Sequence, residues 1–177
     1  MNNTNKIAII GGGLAGCEAA YQISKFNINV DLYEMRPKVK TEAHQTEYLA
    51  ELVCSNSFRS DDKEYNAVGV LHEELRIADS LIMKTADNNK VPAGSALAVD
   101  RDDFAKEVNK TISSISNINI INQEVKDLNE FNNQIVIIST GPLTSRKLTE
   151  SIKTKTFENS LDFYDAIAPI VYKETIN

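Results

Sequence analysis

The stretch that decides the fold is IAIIGGGLAGCEAAYQ, residues 7–22 of a 177-residue chain. It passes from four aliphatic residues through three consecutive glycines into a run with small and apolar residues at helical spacing. Residues 6–10 read as a buried parallel strand, because a short β-branched run bounded by glycine suits a sheet covered on both faces. Leu14, Ala15, Cys17, Ala19, Ala20 and Ile23 then predict a helix packed closely on that sheet. Gly11, Gly13 and Gly16 spell G-x-G-x-x-G at the junction. The first permits the tight turn, the second lets a pyrophosphate reach the main chain, and the third lets the helix lie against the strand. The N–H groups and dipole at the helix start favour phosphate. Gly11, Gly12, Gly13, Leu14, Ala15 and Gly16 are therefore candidate cofactor-binding residues; the alternative is a glycine turn kept only for packing.

Working outward, INVDLYE (residues 28–34) reads as a second strand and completes a βαβ unit. It ends in Glu34, about twenty residues beyond the glycines, where an acid accepts hydrogen bonds from ribose hydroxyls. Two positions on, Arg36 either faces adenine or phosphate or is a solvated surface arginine; the residues leave both open. QIVIISTG (134–141) is a further apolar strand ending in Thr140-Gly141-Pro142, a pattern found where flavin-binding relatives of this fold pass their cofactor. The combination favours FAD over NAD.

The remaining segments fit a doubly wound, Rossmann-like α/β domain with a mainly parallel sheet over residues 1–164. Residues 36–66 are polar, weakly periodic and long for a connection, and such segments are commonly functional or disordered. Leu71, Leu75, Ala78, Leu81 and Ile82 predict one helix over 71–87. VPAGSALAVDR (91–101) is a loop entering a strand, and Asp100 or Asp102 is placed to cap a helix through about residue 115. Residues 118–125 read as a strand, a polar helix of about a dozen residues follows Pro142, and residues 161–177 begin new apolar structure.

Composition narrows the function classes. Apolar and charged fractions of 42% and 25% are those of an ordinary globular protein. No run approaches the eighteen or so apolar residues of a membrane span, and MNNTNK lacks a secretory signal, so a cytoplasmic location without membrane association is expected. Cys17 and Cys54 read as free thiols. Neither they nor His44 and His72 have metal-ligand spacing, so no metal is expected. The net charge of −6 does not advertise nucleic-acid binding, nor does it exclude it. Cys17 reads as a small buried hydrophobe. Cys54, in AELVCSNSFRS, is either a nucleophile assisted by Arg59 or a packed cysteine after Leu52-Val53. His44 and His72 are either general bases or exposed surface histidines, with exposure the expected outcome.

IIGGGLAGCEAA, VDLYEMRP, AELVCSNSFRS, NAVGVLHEELR, VPAGSALAVDR, STGPLTS and FYDAIAPIV occur in this order along nearly the whole chain. In this the sequence resembles the bacterial folate- and FAD-dependent tRNA (uracil-5-)-methyltransferases, which make the T-loop ribothymidine of tRNA. It is less similar to the wobble-uridine modifying flavoproteins, which share the glycine loop but not the CSNSFRS, NAVGVLHEELR and PAGSALAVDR stretches. The resemblance implies that reduced FAD receives a one-carbon unit from methylenetetrahydrofolate and passes it to C5 of uracil, with NAD(P)H as reductant. It also implies that Cys54 is one of two functional cysteines, as a nucleophile or in proton transfer. Family members are longer. The second cysteine, an inserted substrate-binding domain and a return segment completing the FAD pocket are expected beyond residue 177, and residues 165–177 are read as the crossing to that insertion. The chain alone is expected to bind FAD weakly and not to turn over, with a companion C-terminal polypeptide as a partner. Competing readings are the same chemistry on ribosomal RNA, wobble-uridine modification, a non-catalytic remnant or split subunit, and an NAD-dependent oxidoreductase.

Overall fold

The computed structural model describes residues 6–158 and 161. Along the chain the elements are β1 (Lys6–Ile10), α1 (Leu14–Ser24), β2 (Asn29–Glu34), β3 (Ser57–Ser60), α2 (Ala67–Ile77) and α3 (Leu81–Asn88). They continue with β4 (Lys90–Val91), β5 (Ala96–Val99), α4 (Arg101–Ser114), β6 (Ile118–Asn122), β7 (Ile135–Ile138) and α5 (Arg146–Thr156). The expected domain limit at 164 and the crossing over 165–177 lie outside the described residues.

β6, β2, β1 and β7 form one parallel sheet in that order, with Ile7 opposite both Val30 and Ile135. The α/β reading and the parallel sheet stand. Alternation along β1 explains its unbroken apolar sequence. Ile9 joins Val30 and Leu32 on the face covered by Cys17 and Ala20 of α1, Met83 of α3, and Phe104, Val108 and Ile112 of α4. Ala8 and Ile10 point the other way, onto Val125, Phe131 and Leu148. Tyr33 meets Phe131 edge to face with ring centroids 5.2 Å apart. Each fully buried Ile, Leu or Phe contributes about 1.5–3 kcal/mol, so this two-sided core is the main source of stability.

The structure differs from the sequence reading in two places. The single helix expected over 71–87 is two helices, parted where Asp79 adopts a left-handed φ of 55°. Ser80 accepts from the Met83 N–H and caps α3, while Glu18 of α1 accepts from Ser80 Oγ (2.8 Å) and from the N–H of Ile82 (2.9 Å). A tertiary carboxylate at a helix start thus outweighs the continuous apolar periodicity. The second difference is a three-stranded antiparallel sheet, β3-β5-β4, which recruits part of the segment read as an irregular loop. The rest of that segment is anchored by Leu49, Ala50 and Leu52, all buried in the main core. Asp100 caps α4 by accepting from the N–H groups of Asp102 and Asp103.

Candidate functional site

The parallel sheet reverses its winding at β1, whose neighbours are β2 on one side and β7 on the other. Ligands of open α/β sheets bind outside the carboxyl ends of the strands at such a switch point. Here the ends of β1, β2 and β7 open a cleft of about 270 Å³. Ile10 to Leu14 form its floor, Tyr33 to Arg36 one wall and Ser139 to Leu143 the other.

The glycines at the floor have separable reasons. Gly11 has φ +106° and a Cβ there would lie 2.8 Å from the Ser139 carbonyl, so both conformation and neighbour demand glycine. A Cβ at Gly16 would stand 1.8 Å from the Gly11 oxygen, which is the close helix-to-strand approach expected of the third glycine. Gly13 is different. Its φ of −75° and ψ of −169° suit any residue, and among the described residues a Cβ there would meet nothing within 4 Å. No described neighbour requires its missing side chain. Gly13 is also the N-cap of α1, makes no side-chain cap and precedes a first turn without acid, so the helix start that lines the cleft at Gly13 and Leu14 has no capping side chain of its own.

Glu34 ends β2 facing this turn. Its Oε2 accepts the Gly12 N–H at 3.0 Å, and its Oε1 accepts both the N–H and Nε–H of Arg36 at 3.1 and 2.9 Å. Oε1 is thereby saturated, and acceptor capacity remains on Oε2, beside the glycine turn. Arg36 is only 1% exposed, which removes the solvated surface reading. Its Nη1 donates to Glu51 Oε2 at 3.0 Å. Glu51, which sequence reasoning did not single out, is itself held by the N–H groups of Gln45 and Thr46 and by Thr46 Oγ1. No periodicity or motif ties it to a position fifteen residues earlier.

Burial raises the pKa of both Glu34 and Glu51, but hydrogen bonds outweigh it and leave each below the ordinary value of 4.5. Those bonds come chiefly from Arg36 in the first case and from the Gln45 N–H and Thr46 in the second. A carboxylate whose folded pKa is depressed contributes stability that is present above its unfolded pKa and lost as pH falls. The urea midpoint is therefore expected to hold down to about pH 4.5 and to drop below it, with a shallower drop in Glu34→Gln.

Of the other candidates, Thr140 and Gly141 line the cleft with Leu14, whereas Ala15 is exposed and Gly16 is buried on the inner face of α1. The two histidines are corrections. His72 is 5% exposed with Nδ1 3.1 Å from Asp61 Oδ1, and half-buried His44 lines the cleft. Asp61, which also binds Arg76 and Lys90, gives His72 a partner that sequence spacing did not reveal. The two cysteines separate. Cys17 is 0% exposed, its Sγ donates to the Gly12 carbonyl at 3.3 Å, and burial, helped by the nearby Glu34 charge, pushes its pKa up to about 12. Cys54 is exposed, so the packed reading fails for it. It does not line the cleft, though Val53 before it does. Because the thiolate is the reactive form, a thiol-specific chromogenic reagent at neutral pH is expected to titrate Cys54 in the native chain and Cys17 only after denaturation. Cys54→Ser removes the native reaction.

A sequence model of the glucose inhibited division protein A family matches residues 6–177. The chain belongs to this family. The resemblance drawn from its motifs is borne out by the curated relatives it matches. The chain is 60% identical over 171 residues to the methylenetetrahydrofolate–tRNA-(uracil-5-)-methyltransferase TrmFO of Bartonella henselae, covering 97% of this chain and 36% of that protein. It is 58% identical over 178 residues to the protein of the same name from Bartonella bacilliformis, covering 100% of this chain and 38% of that one. The chain thus spans little more than a third of the length of the curated relatives it matches. A crystal structure of GidA from Aquifex aeolicus superposes with a TM-score of 0.61 at 17% identity, covering 79% of this chain and 25% of that one, which supports the fold.

Proposed function

We propose that the chain is the FAD-binding part of a methylenetetrahydrofolate- and FAD-dependent RNA uracil-5-methyltransferase that forms 5-methyluridine in the T-loop of tRNA. The observation that carries the dinucleotide part is Gly13, whose absent side chain serves no packing among the described residues and leaves room for a diphosphate. The methyltransferase part rests on the names of the relatives and on the motif order. The residues fit the group: Gly12, Gly13 and Leu14 present main chain and a helix start to the diphosphate, and Glu34 presents Oε2 to the ribose. Thr140 and Gly141 border the opposite wall. When bound, FAD supplies transfer of electrons and of the one-carbon unit from methylenetetrahydrofolate, with NAD(P)H as reductant.

The chain's own residues bind, orient and activate. The cleft orients the dinucleotide through main-chain N–H groups that need no rearrangement. Cys54, exposed next to cleft-lining Val53, serves the uracil ring either by adding to C6, which makes C5 nucleophilic, or by moving its proton. Two assays test this reading. Titration of the chain with FAD, followed by flavin fluorescence, is expected to saturate and to weaken in Glu34→Gln. Residues 1–177 exchanged for the matching portion of the Bartonella henselae relative are then assayed with methylenetetrahydrofolate, NADPH and unmodified transcripts. Ribothymidine is expected in tRNA and not in ribosomal RNA, and is lost in Cys54→Ser. A folded, flavin-loaded chimera that leaves tRNA unmodified would overturn it.

A further inference from the structure

We propose that Glu51 determines which dinucleotides the cleft accepts: by pairing with Arg36 it withholds that guanidinium from a phosphate on the adenosine ribose. The site then takes an unmodified ADP moiety and turns away a 2′-phosphorylated one. This rests on the dinucleotide reading above and adds a specificity determinant to it.

Arg36 lies two residues beyond the ribose-facing Glu34, at the carboxyl end of β2, where an arginine accommodates the 2′-phosphate of NADP-type ligands. Position alone would therefore suit a phosphorylated ribose. In the structure the guanidinium is already engaged. Nε donates to Glu34 Oε1 at 2.9 Å and Nη1 to Glu51 Oε2 at 3.0 Å, and the two carboxylate side chains are only 9% and 6% exposed. Two carboxylates against one cation leave an excess negative charge beside the ribose position, at the edge of an open cleft, which opposes an incoming phosphate. Glu51 cannot readily swing away, because Oε1 accepts from the Gln45 N–H at 2.8 Å and Oε2 from Thr46 N and Oγ1 at 3.1 and 2.9 Å.

The same geometry shows what removing the Glu51 charge would release. Arg36 lines the cleft, and its Nη2 donates to no described residue. Freed of Glu51, Nη1 and Nη2 together form the planar fork that binds phosphate through two hydrogen bonds. FAD and NADPH share an ADP moiety and differ by the 2′-phosphate at this end. Glu51 thus keeps the reductant out of a crevice built for the flavin nucleotide.

The test displaces FAD from the chain with ADP-ribose and with 2′-phospho-ADP-ribose. Wild type is expected to prefer ADP-ribose at least tenfold. Glu51→Gln should cut that preference to threefold or less, and should lower it by a smaller factor in an Arg36→Met background, where repulsion is relieved but no guanidinium is freed to take the phosphate. Wild type alone supplies a measurement independent of whether a variant folds. Exclusion by charge is screened, so its preference should shrink several-fold between about 0.05 and 0.5 M salt, whereas steric exclusion would not move. A salt-independent preference, a wild-type preference under threefold, or a folded Glu51→Gln with the wild-type ratio overturns the inference while FAD binding stands. A chain that binds neither FAD nor ADP-ribose overturns the dinucleotide reading, and this inference with it.

Discussion

Gly13→Ala is expected to weaken FAD binding by at least tenfold while lowering the free energy of unfolding by no more than about 1 kcal/mol, the cost of alanine at an N-cap. The backbone at Gly13, φ −75° and ψ −169°, is open to alanine, and the new Cβ would touch no atom of the described residues within 4 Å. Folding therefore registers the methyl group only through alanine's poorer N-cap preference. A diphosphate lying against the main chain registers it directly, because the methyl occupies the space of its closest approach and shields the N–H groups at the start of α1. The paired measurement is a flavin fluorescence titration and a urea melt on the same preparation. Unchanged affinity would mean that no ligand comes near Gly13, and the dinucleotide reading would lose its main support.

Gly16→Ala is expected to do the reverse at the level of the fold, costing about 3 kcal/mol or more. Its Cβ would sit 1.8 Å from the Gly11 oxygen and 2.7 Å from Ser139 Oγ. Neither neighbour has freedom to retreat. The Gly11 N–H donates to the Tyr33 carbonyl at 2.8 Å, and Ser139 Oγ donates to the Gly11 oxygen at 2.9 Å, so this turn is fastened to both flanking strands. Relief requires α1 to lift from β1, which would open the core around Cys17 and Ala20. Urea unfolding by circular dichroism checks it. A variant within 1 kcal/mol of wild type would show that α1 and β1 are not in the contact described, and FAD binding in this variant is expected to fall only as far as folding does.

The part of the site that sequence made legible is the part built from neighbours in sequence or from regular spacing. The G-x-G-x-x-G turn, the strand before it, the helix after it and the acid ending the next strand all follow from local rules. So does Asp100 as the cap of α4. What escaped reading was made by contacts across the fold. Arg36 was open between two environments because its burial depends on Glu51, brought in by a loop whose Leu49 and Ala50 sink into the core. His72 read as exposed because Asp61 reaches it only once β3 and α2 are packed together. The break between α2 and α3 was hidden by apolar residues that fit one helix equally well, and Glu18, some sixty residues earlier, settles it.

Short-range pattern thus determined the α/β class, the parallel strands and the phosphate turn, since hydrophobic period and glycine sterics act within a few residues of one another. Tertiary structure alone decided how the charged groups of the cleft wall pair, the exposure of Cys54 and the place where a helix ends. Those depend on which buried groups meet, and burial makes each such meeting count far more than it would in water.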